Sequence, residues 1–310
     1  MNNTPAATSR LEIWAATPAP FDSNGRVDVS MIPEQARHLR SIGVHGAFVN
    51  GTTGEFAALS TAERREIAEA WADARSDGFG LALHVGSTEP AEAQELAAHA
   101  ESLGADFIAA VTPYYGEAPT LDLVARYLKM VSDAAPDTPL CYYHIPSMTG
   151  STHTPSAVVA AAAPIVPTLS RVKYTDGDPN EYDRIREAAE GITVYFGRDE
   201  LLPAALSFGA HAVIGSLFNG LAAVAHQITN AYDGGDHDLA FELHRPFREI
   251  ANLAGDHGGL GFVKELLNEL GPDSGRPRLP WGPLDAADRA VASELAQRLS
   301  APIAAAGSRE

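Results

Sequence analysis

The sequence Leu-Ser-Arg-Val-Lys-Tyr-Thr-Asp-Gly-Asp occupies residues 169–178 and shows the pattern that recurs along the chain. A short apolar run, typical of a buried strand, ends in a turn rich in Gly and Asp. Lys173 lies near the end of this run, and Thr175 follows on the same strand face. Most lysines are solvated surface charges, whereas a buried Lys173 would be a candidate amine nucleophile. The other strand ends decide between these two interpretations.

Short apolar runs alternate with amphipathic segments from residue 11 onward. The predicted strands span residues 13–17, 47–50, 81–85, 107–111, 140–143, 171–173, 193–196 and 212–214. Eight βα units with continuous apolar strands favour a closed barrel over an open doubly wound sheet, although the pattern alone does not prove closure. The Gly-x-Gly-x-x-Gly phosphate loop of dinucleotide-binding folds is absent. We therefore predict an α/β protein with a (β/α)8 TIM barrel and a C-terminal helical extension.

The alternation stops after residue 220, where the pattern is helical only. The predicted helices there lie near residues 221–232, 236–254, 262–270 and 285–299. This change divides the chain into a flexible N-terminus (1–10), a barrel (11–220) and a helical extension (221–310).

Three segments carry clear helix start signals. Ser60 and Glu63 have the spacing of a capping box, in which the hydroxyl and the carboxylate satisfy free N–H groups. Thr120 precedes another helix, and Thr154 stands as a cap residue before the helix-compatible Pro155. We expect helices to begin at these three places.

Composition excludes several classes of protein. The formal net charge of −18 argues against nucleic acid or an anionic membrane as a partner, since both require basic patches. A single cysteine, Cys141, excludes an intramolecular disulfide and a multi-cysteine metal site, and it is expected to be a small buried hydrophobe. The histidines lack metal-ligand spacing, so no metal is predicted. Neither a signal peptide nor an apolar membrane span is recognised, and a cytoplasmic protein is expected.

The reacting groups of a βα barrel lie where its strands end. At the second strand end, Thr52 and Thr53 stand between two glycines, where hydroxyls and backbone N–H groups suit a carboxylate; a plain glycine-rich turn is the alternative. At the fourth, Tyr114 and Tyr115 are either packing aromatics or supply a phenol to a neighbouring subunit. These ends offer an anion site and a phenol.

The fifth strand ends at Tyr142, Tyr143 and His144. The two tyrosines point to opposite faces, so only one of them can face the barrel interior. A phenol close to an imine-forming lysine can pass protons between substrate and solvent. His144 is more simply explained as a structural residue than as a base.

The seventh and eighth strand ends carry further polar groups. Gly197 is followed by Asp199 and Glu200, which suit either hydrogen bonds to substrate hydroxyls or the dipole of a helix N-terminus. Ser216, after the eighth strand, offers another hydroxyl.

Taken together in this order, the motifs are specific. Gly-Thr-Thr-Gly-Glu, Thr-Pro-Tyr-Tyr, Tyr-x-Ile-Pro, Val-Lys-x-Thr, Gly-x-Asp-Glu and Gly-Ser resemble the class I pyruvate aldolases related to N-acetylneuraminate lyase and dihydrodipicolinate synthase. The resemblance covers about residues 11 to 300, and residues 48–55, 142–146 and 276–280 look most like animal-type members of the lyase branch. Met148 stands where the synthase branch has an arginine that binds the second substrate's carboxylate.

The resemblance implies a role for each strand-end residue. Lys173 would form the Schiff base, Tyr143 would transfer protons, and Tyr115 would reach across a subunit interface. The implied catalytic residues are Lys173, Tyr143, Thr53 and Tyr115. The implied substrate-binding residues are Thr52 and Thr53 for the carboxylate, and Thr175, Gly197, Asp199, Glu200 and Ser216 for the hydroxylated remainder.

The function implied is reversible cleavage of N-acetylneuraminate to pyruvate and N-acetylmannosamine by a homotetramer, with no cofactor beyond the imine on Lys173. Leu217 and Phe218 depart from the Thr and Tyr usual in sialate lyases, which leaves the sugar open. The alternatives are an aldolase or dehydratase acting on another 2-keto-3-deoxy sugar acid, and a non-catalytic barrel that binds a sugar acid.

Overall fold

The computed structural model describes residues 11–116 and 120–307 and shows a closed barrel of eight parallel strands. Each strand pairs with the next in sequence order, and the last pairs with the first. The strands are β1 (Glu12–Ala16), β2 (Gly46–Val49), β3 (Gly80–His84), β4 (Phe107–Val111), β5 (Leu140–His144), β6 (Leu169–Tyr174), β7 (Thr193–Phe196) and β8 (Ala212–Gly215). The predicted (β/α)8 fold is confirmed, and every predicted strand overlaps an observed one.

Helices follow the strands and then continue alone to the end of the described chain. They are α1 (Ile32–Ser41), α2 (Thr61–Ala74), α3 (Pro90–Ser102), α4 (Leu121–Asp133), α5 (Pro146–Thr149), α6 (Pro155–Ala162), α7 (Pro179–Ala188), α8 (Leu202–Ser207), α9 (Phe218–Asp233), α10 (His237–Leu243), α11 (Arg245–Asp256), α12 (Leu260–Leu270) and α13 (Ala286–Gly307). Among the described residues, no helix has both the length and the apolar character needed to cross a bilayer.

The division of the chain into three parts stays a prediction. Residues 1–10 lie outside the described residues. The predicted boundary at residue 220 falls within α9, which also packs against β1. We propose that α10 to α13 form the extension proper and that α9 serves as the last helix of the barrel.

The strand residues alternate between the barrel interior and the layer beneath the helices. Tyr143 belongs to the interior cluster, whereas Tyr142 packs in the outer core, as predicted for neighbours on one strand. Cys141 is also inside, and burial raises the pKa of its thiol to about 12. It is therefore a small buried hydrophobe, as expected.

All three predicted helix starts are confirmed. Ser60 and Glu63 form a reciprocal capping box at α2, and the Thr120 hydroxyl accepts the N–H of Leu123 at α4. Pro155 begins α6 with Thr154 as its N-cap residue, although the Thr154 side chain makes no cap hydrogen bond.

The single helix predicted over residues 236–254 is also wrong, because α10 and α11 are separate helices joined at His244. Pro246 explains the break, since it lacks an N–H group and cannot donate to the carbonyl four residues earlier. After this break, α11 packs against the short helical turn Asp199–Leu201 at the mouth of the barrel.

A buried ion pair fastens the extension to the barrel. The Lys264 ammonium on α12 lies 2.6 Å from a carboxylate oxygen of Glu55, and both side chains are fully buried. Lys264 also donates to the carbonyl of Ala19 and lies 4.0 Å from the ring centre of Phe21. The backbone N–H of Arg278 donates to the second carboxylate oxygen at 2.7 Å. The loop after β2 is thus held by residues more than two hundred positions away.

We predict that Lys264→Met lowers the free energy of unfolding by about 3–5 kcal/mol, because it leaves the Glu55 carboxylate buried without a counter-charge. Urea denaturation would measure the loss. The double variant Glu55→Gln with Lys264→Met removes both charges and should be less destabilised than Lys264→Met alone. A double variant that loses at least as much stability would contradict this account.

Candidate active site

Lys173 lies inside the barrel near the end of β6, with only 4% of the residue exposed. Its Nζ is 4.1 Å from the ring centre of Tyr143 and 4.5 Å from that of Phe48. Tyr143 is its partner in the register between β5 and β6. Lys173 is therefore a buried amine on an aromatic surface and not a solvated surface charge.

Hydroxyl groups from neighbouring strand ends converge beside this amine. The Tyr143 phenol lies 3.1 Å from the Thr52 hydroxyl, and the Thr53 hydroxyl lies 2.6 Å from that of Ser216. Thr52, rather than Thr53, therefore contacts the phenol. The two threonines place hydroxyls toward different sides of the pocket.

The loop that carries the two threonines has a left-handed residue at each end, Asn50 (φ 57°) and Glu55 (φ 53°). Such backbone persists only where surrounding contacts impose it. The Asn50 amide donates to the carbonyl of Arg64 at 2.8 Å, and Lys264 binds the Glu55 carboxylate. The positions of the two hydroxyls are thus determined by the ends of the loop.

Asp199 and Glu200 lie side by side on the turn after β7, in different environments. Asp199 is buried, and one of its oxygens accepts the Leu217 N–H at 2.8 Å. Burial raises the pKa of its carboxyl to about 7. Glu200 is partly exposed and pairs with Arg198 at 2.6 Å. The turn therefore presents one carboxyl that can donate a proton and one that is paired at the rim.

Two glycines allow these side chains to come close. A Cβ at Gly215 would overlap the Asp199 carboxyl, and a Cβ at Gly197 would overlap the Thr175 hydroxyl. Larger residues at either position would push polar groups out of the pocket.

A cavity of about 240 Å³ joins these groups at the carboxyl ends of the strands. Every predicted site residue except Tyr115 lines it, namely Thr52, Thr53, Tyr143, Lys173, Thr175, Gly197, Asp199, Glu200 and Ser216. Met148 and Leu217 also line it. The residues selected from five separate strand ends therefore belong to one pocket, and their individual roles stay predictions.

The sequence interpretation missed one wall of this pocket. Ile250 and Ala251 of α11, and Leu260 and Val263 of α12, close it on the side of the extension. The amphipathic pattern of these helices predicts that one face is buried, but it does not say against which part of the barrel.

Tyr115 lies outside the pocket and is 96% exposed. Its neighbour Tyr114 packs edge-on against Phe56, with ring centres 5.7 Å apart. Within one chain, Tyr114 is therefore the packing aromatic and Tyr115 is available to another surface.

His144 does not line the pocket. It is buried, stacks on Tyr174 and lies 3.2 Å from the Tyr142 phenol. Burial lowers its pKa to about 4, so it is neutral at physiological pH. Its surroundings fit the structural role expected from the sequence.

Histidine, cysteine and carboxylate side chains do not form a cluster of three or more suited to a metal ion within residues 11–116 and 120–307.

We predict that Asp199 makes stability fall as the pH rises. Its pKa is about 7 in the folded protein against a usual value of 3.8, so its contribution is complete below about pH 4 and is lost as the pH rises through 7. Denaturation at pH 5 and pH 8 should show that the free energy of unfolding of Asp199→Asn, relative to that of the wild type, is higher at pH 8 by on the order of a few kcal/mol. A difference that does not change with pH would contradict the assignment.

Comparison with known proteins agrees with this architecture. Residues 10–299 match the sequence profile of the Dihydrodipicolinate synthetase family. An N-acetylneuraminate lyase from Xenopus tropicalis is 35% identical over 284 residues, which cover 88% of this chain and 92% of that protein.

Two solved structures are also similar to this chain in fold and in sequence. N-acetylneuraminate lyase from Proteus mirabilis has a TM-score of 0.89 and 31% identity, covering 93% of this chain and 98% of that one. The lyase from Aliivibrio salmonicida has a TM-score of 0.88 and 32% identity, covering 94% and 97%. With the profile match, these similarities show that the chain belongs to the Dihydrodipicolinate synthetase family.

Proposed function

We propose that the protein is a class I aldolase that reversibly cleaves N-acetylneuraminate to pyruvate and N-acetylmannosamine. The observation that carries this proposal is the buried Lys173 amine against Tyr143, whose phenol contacts the Thr52 hydroxyl. The similarity to proteins named N-acetylneuraminate lyase supports the choice of substrate.

The first step forms a covalent bond to Lys173. Its neutral amine attacks the keto carbon of the substrate, and loss of water gives a protonated imine that acts as an electron sink. The substrate carboxylate then lies toward Thr52 and Thr53, whose hydroxyls line the same pocket. The imine supplies the electrophile, so the reaction needs no external cofactor.

The second step breaks the carbon–carbon bond. The Tyr143 phenol accepts the proton of the hydroxyl on the carbon that becomes the aldehyde and donates its own proton to Thr52, while the bonding electrons flow into the imine and form an enamine. Thr52 can pass this proton onward, because its hydroxyl lies 3.1 Å from the phenol. Protonation of the enamine and addition of water then release pyruvate and restore Lys173.

The remainder of the sugar acid would be held by Thr175, Gly197, Asp199, Glu200 and Ser216, which line the pocket. Among the described residues, the Thr175 hydroxyl and one Asp199 oxygen are buried without a hydrogen-bond partner. Buried polar atoms are normally paired, so these two atoms support a polar ligand in this part of the pocket.

Met148 bears on the choice between branches of the family. It lines the pocket and carries no charge where the synthase branch would place an arginine for a second carboxylate. This favours cleavage over condensation with an amino-acid semialdehyde.

A second candidate function is cleavage or dehydration of another 2-keto-3-deoxy sugar acid. The specific observation is the apolar part of the pocket lining, to which Leu217, Ile250 and Val263 contribute. Such a lining suits a less hydroxylated substrate tail.

We also propose that the protein is a homotetramer in the cytoplasm, with pyruvate and a sugar acid as its small-molecule partners.

We predict that borohydride in the presence of pyruvate adds one reduced pyruvyl group to the wild type, because hydride traps the imine. Intact-mass analysis followed by peptide mapping should locate the group on Lys173. Lys173→Ala should take up none, and it should release no pyruvate from N-acetylneuraminate.

Tyr143→Phe is the matched control, since it keeps the ring beside Lys173 and removes only the hydroxyl. It should still trap pyruvate but cleave about 10²–10⁴-fold more slowly. Trapping without turnover of any 2-keto-3-deoxy sugar acid by the wild type would favour the non-catalytic alternative. Turnover of a different sugar acid would favour the second candidate.

We also predict that Tyr115 acts in the site of a neighbouring subunit, because it is exposed and outside its own pocket. Lys173→Ala and Tyr115→Phe should each be nearly inactive. When the two variants are dissociated, mixed in equal amounts and reassembled, the mixture should regain about a quarter of wild-type activity. Half of the dimers are then mixed, and one of the two sites in each mixed dimer is complete. No recovery in reassembled mixtures would contradict a site shared between subunits, and a fully active Tyr115→Phe would place Tyr115 outside the reaction.

A further inference from the structure

His244 lies outside the pocket, at the break between α10 and α11, and only 2% of it is exposed. Its Nε2 is 2.9 Å from the backbone carbonyl oxygen of Asp199. Its ring stacks on Phe247 at a centre distance of 5.3 Å and an angle of 17°. A buried polar side chain of the extension therefore reaches the turn that carries the two carboxylates of the site.

Arg248 fixes the tautomer of His244. A guanidinium nitrogen lies 3.1 Å from Nδ1, and a guanidinium can only donate. Nδ1 must therefore accept, which places the hydrogen of the neutral ring on Nε2, where it is donated to Asp199. Burial lowers the pKa of His244, in agreement with a neutral ring.

Arg248 is itself held in place. It donates to the carbonyl of Phe241 at 3.1 Å and lies 3.9 Å from the centre of that ring. A chain of contacts thus runs from the surface of α10 through Arg248 and His244 to Asp199.

Asp199 makes two other hydrogen bonds that hold it in place. The Asp199 carbonyl also accepts the Leu202 N–H, and its carboxyl accepts the Leu217 N–H at 2.8 Å. Both of these hydrogen bonds come from the barrel side, whereas His244 donates one from the extension, beside the packing of α11 on the turn. A turn released from His244 would move its carboxyl relative to the pocket.

We propose that His244 is a positioning residue for the sugar-acid half of the site, where it holds the Asp199 carboxyl by its hydrogen bond to the Asp199 backbone. This inference rests on the proposed function for the identity of the ligand. His244 does not line the pocket that contains Lys173, so we expect imine formation with pyruvate to be unchanged when His244 is replaced.

Three substitutions of His244 separate its two hydrogen bonds. His244→Gln places an amide nitrogen near the former Nε2 and can still donate to Asp199. The side chain in His244→Asn is shorter, so it can still accept from Arg248 but cannot reach Asp199. His244→Phe keeps a ring that stacks on Phe247 and makes neither hydrogen bond.

The kinetic test compares N-acetylneuraminate cleavage with borohydride trapping of pyruvate. His244→Asn and His244→Phe should raise the KM for N-acetylneuraminate about tenfold, in proportion to one lost buried hydrogen bond, while half-saturation by pyruvate in trapping stays at the wild-type value. His244→Gln should behave like the wild type in both. An equal rise in the KM for N-acetylneuraminate and in the half-saturation by pyruvate would overturn the proposal. The same KM for His244→Gln and His244→Asn would also overturn it.

Hydrogen exchange by mass spectrometry tests the positioning without any substrate. A peptide containing the Leu217 amide should exchange faster in His244→Asn and His244→Phe than in the wild type or His244→Gln, with β3 peptides unchanged as a control. Unchanged exchange at Leu217 would overturn the proposal.

Arg248→Met provides a substitution nearer the surface if the core variants do not fold. It frees Nδ1 to take the hydrogen and should accelerate exchange at Leu217 in part, and unchanged exchange in this variant would likewise overturn the proposal. If the wild type fails to trap pyruvate, the proposed function fails, whereas the exchange results still decide whether His244 positions the turn.

Discussion

The ion pair between Glu55 and Lys264 lies where the barrel, its second loop and the C-terminal extension meet. An isolated charge is costly to bury, so each partner is held in the interior only by the other and by nearby hydrogen bonds. Because Glu55 ends the loop that carries Thr52 and Thr53, the position of α12 and the geometry of that loop are linked. The extension therefore supports the pocket from a distance, and removing it would expose the loop anchor as well as one wall of the pocket.

Aromatic side chains pack the barrel interior at the end opposite the pocket. Trp14 packs on Phe107 with ring centres 4.9 Å apart, and Phe107 stacks on Tyr195 at 5.6 Å. Glu12 accepts from both the indole and the Tyr195 phenol. Large aromatic rings with satisfied polar tips therefore pack against one another at this end of the barrel interior.

The sequence was most informative where local chemistry decides the structure. Apolar runs and turn residues predicted all of the strands, and the strand-end rule grouped side chains that do lie in one pocket. It failed at Pro246, where the helical periodicity of residues 236–254 continued across a residue that breaks the hydrogen-bond ladder. It also missed Ile250 and His244, because their contacts depend on how the extension docks, which no short pattern encodes.

These contacts divide the pocket into two halves with different supports. Lys173 and Tyr143 lie on adjacent paired strands, so the barrel itself fixes the distance between amine and phenol. Asp199 lies on a turn that α11 touches, and Ile250 of α11 lines the pocket directly. Changes in α11 can therefore reshape the part of the pocket around Asp199 while the spacing between Lys173 and Tyr143 stays unchanged. In a fold of this kind, substrate preference can change through the appended helices without disturbing the residues proposed to carry out the chemistry.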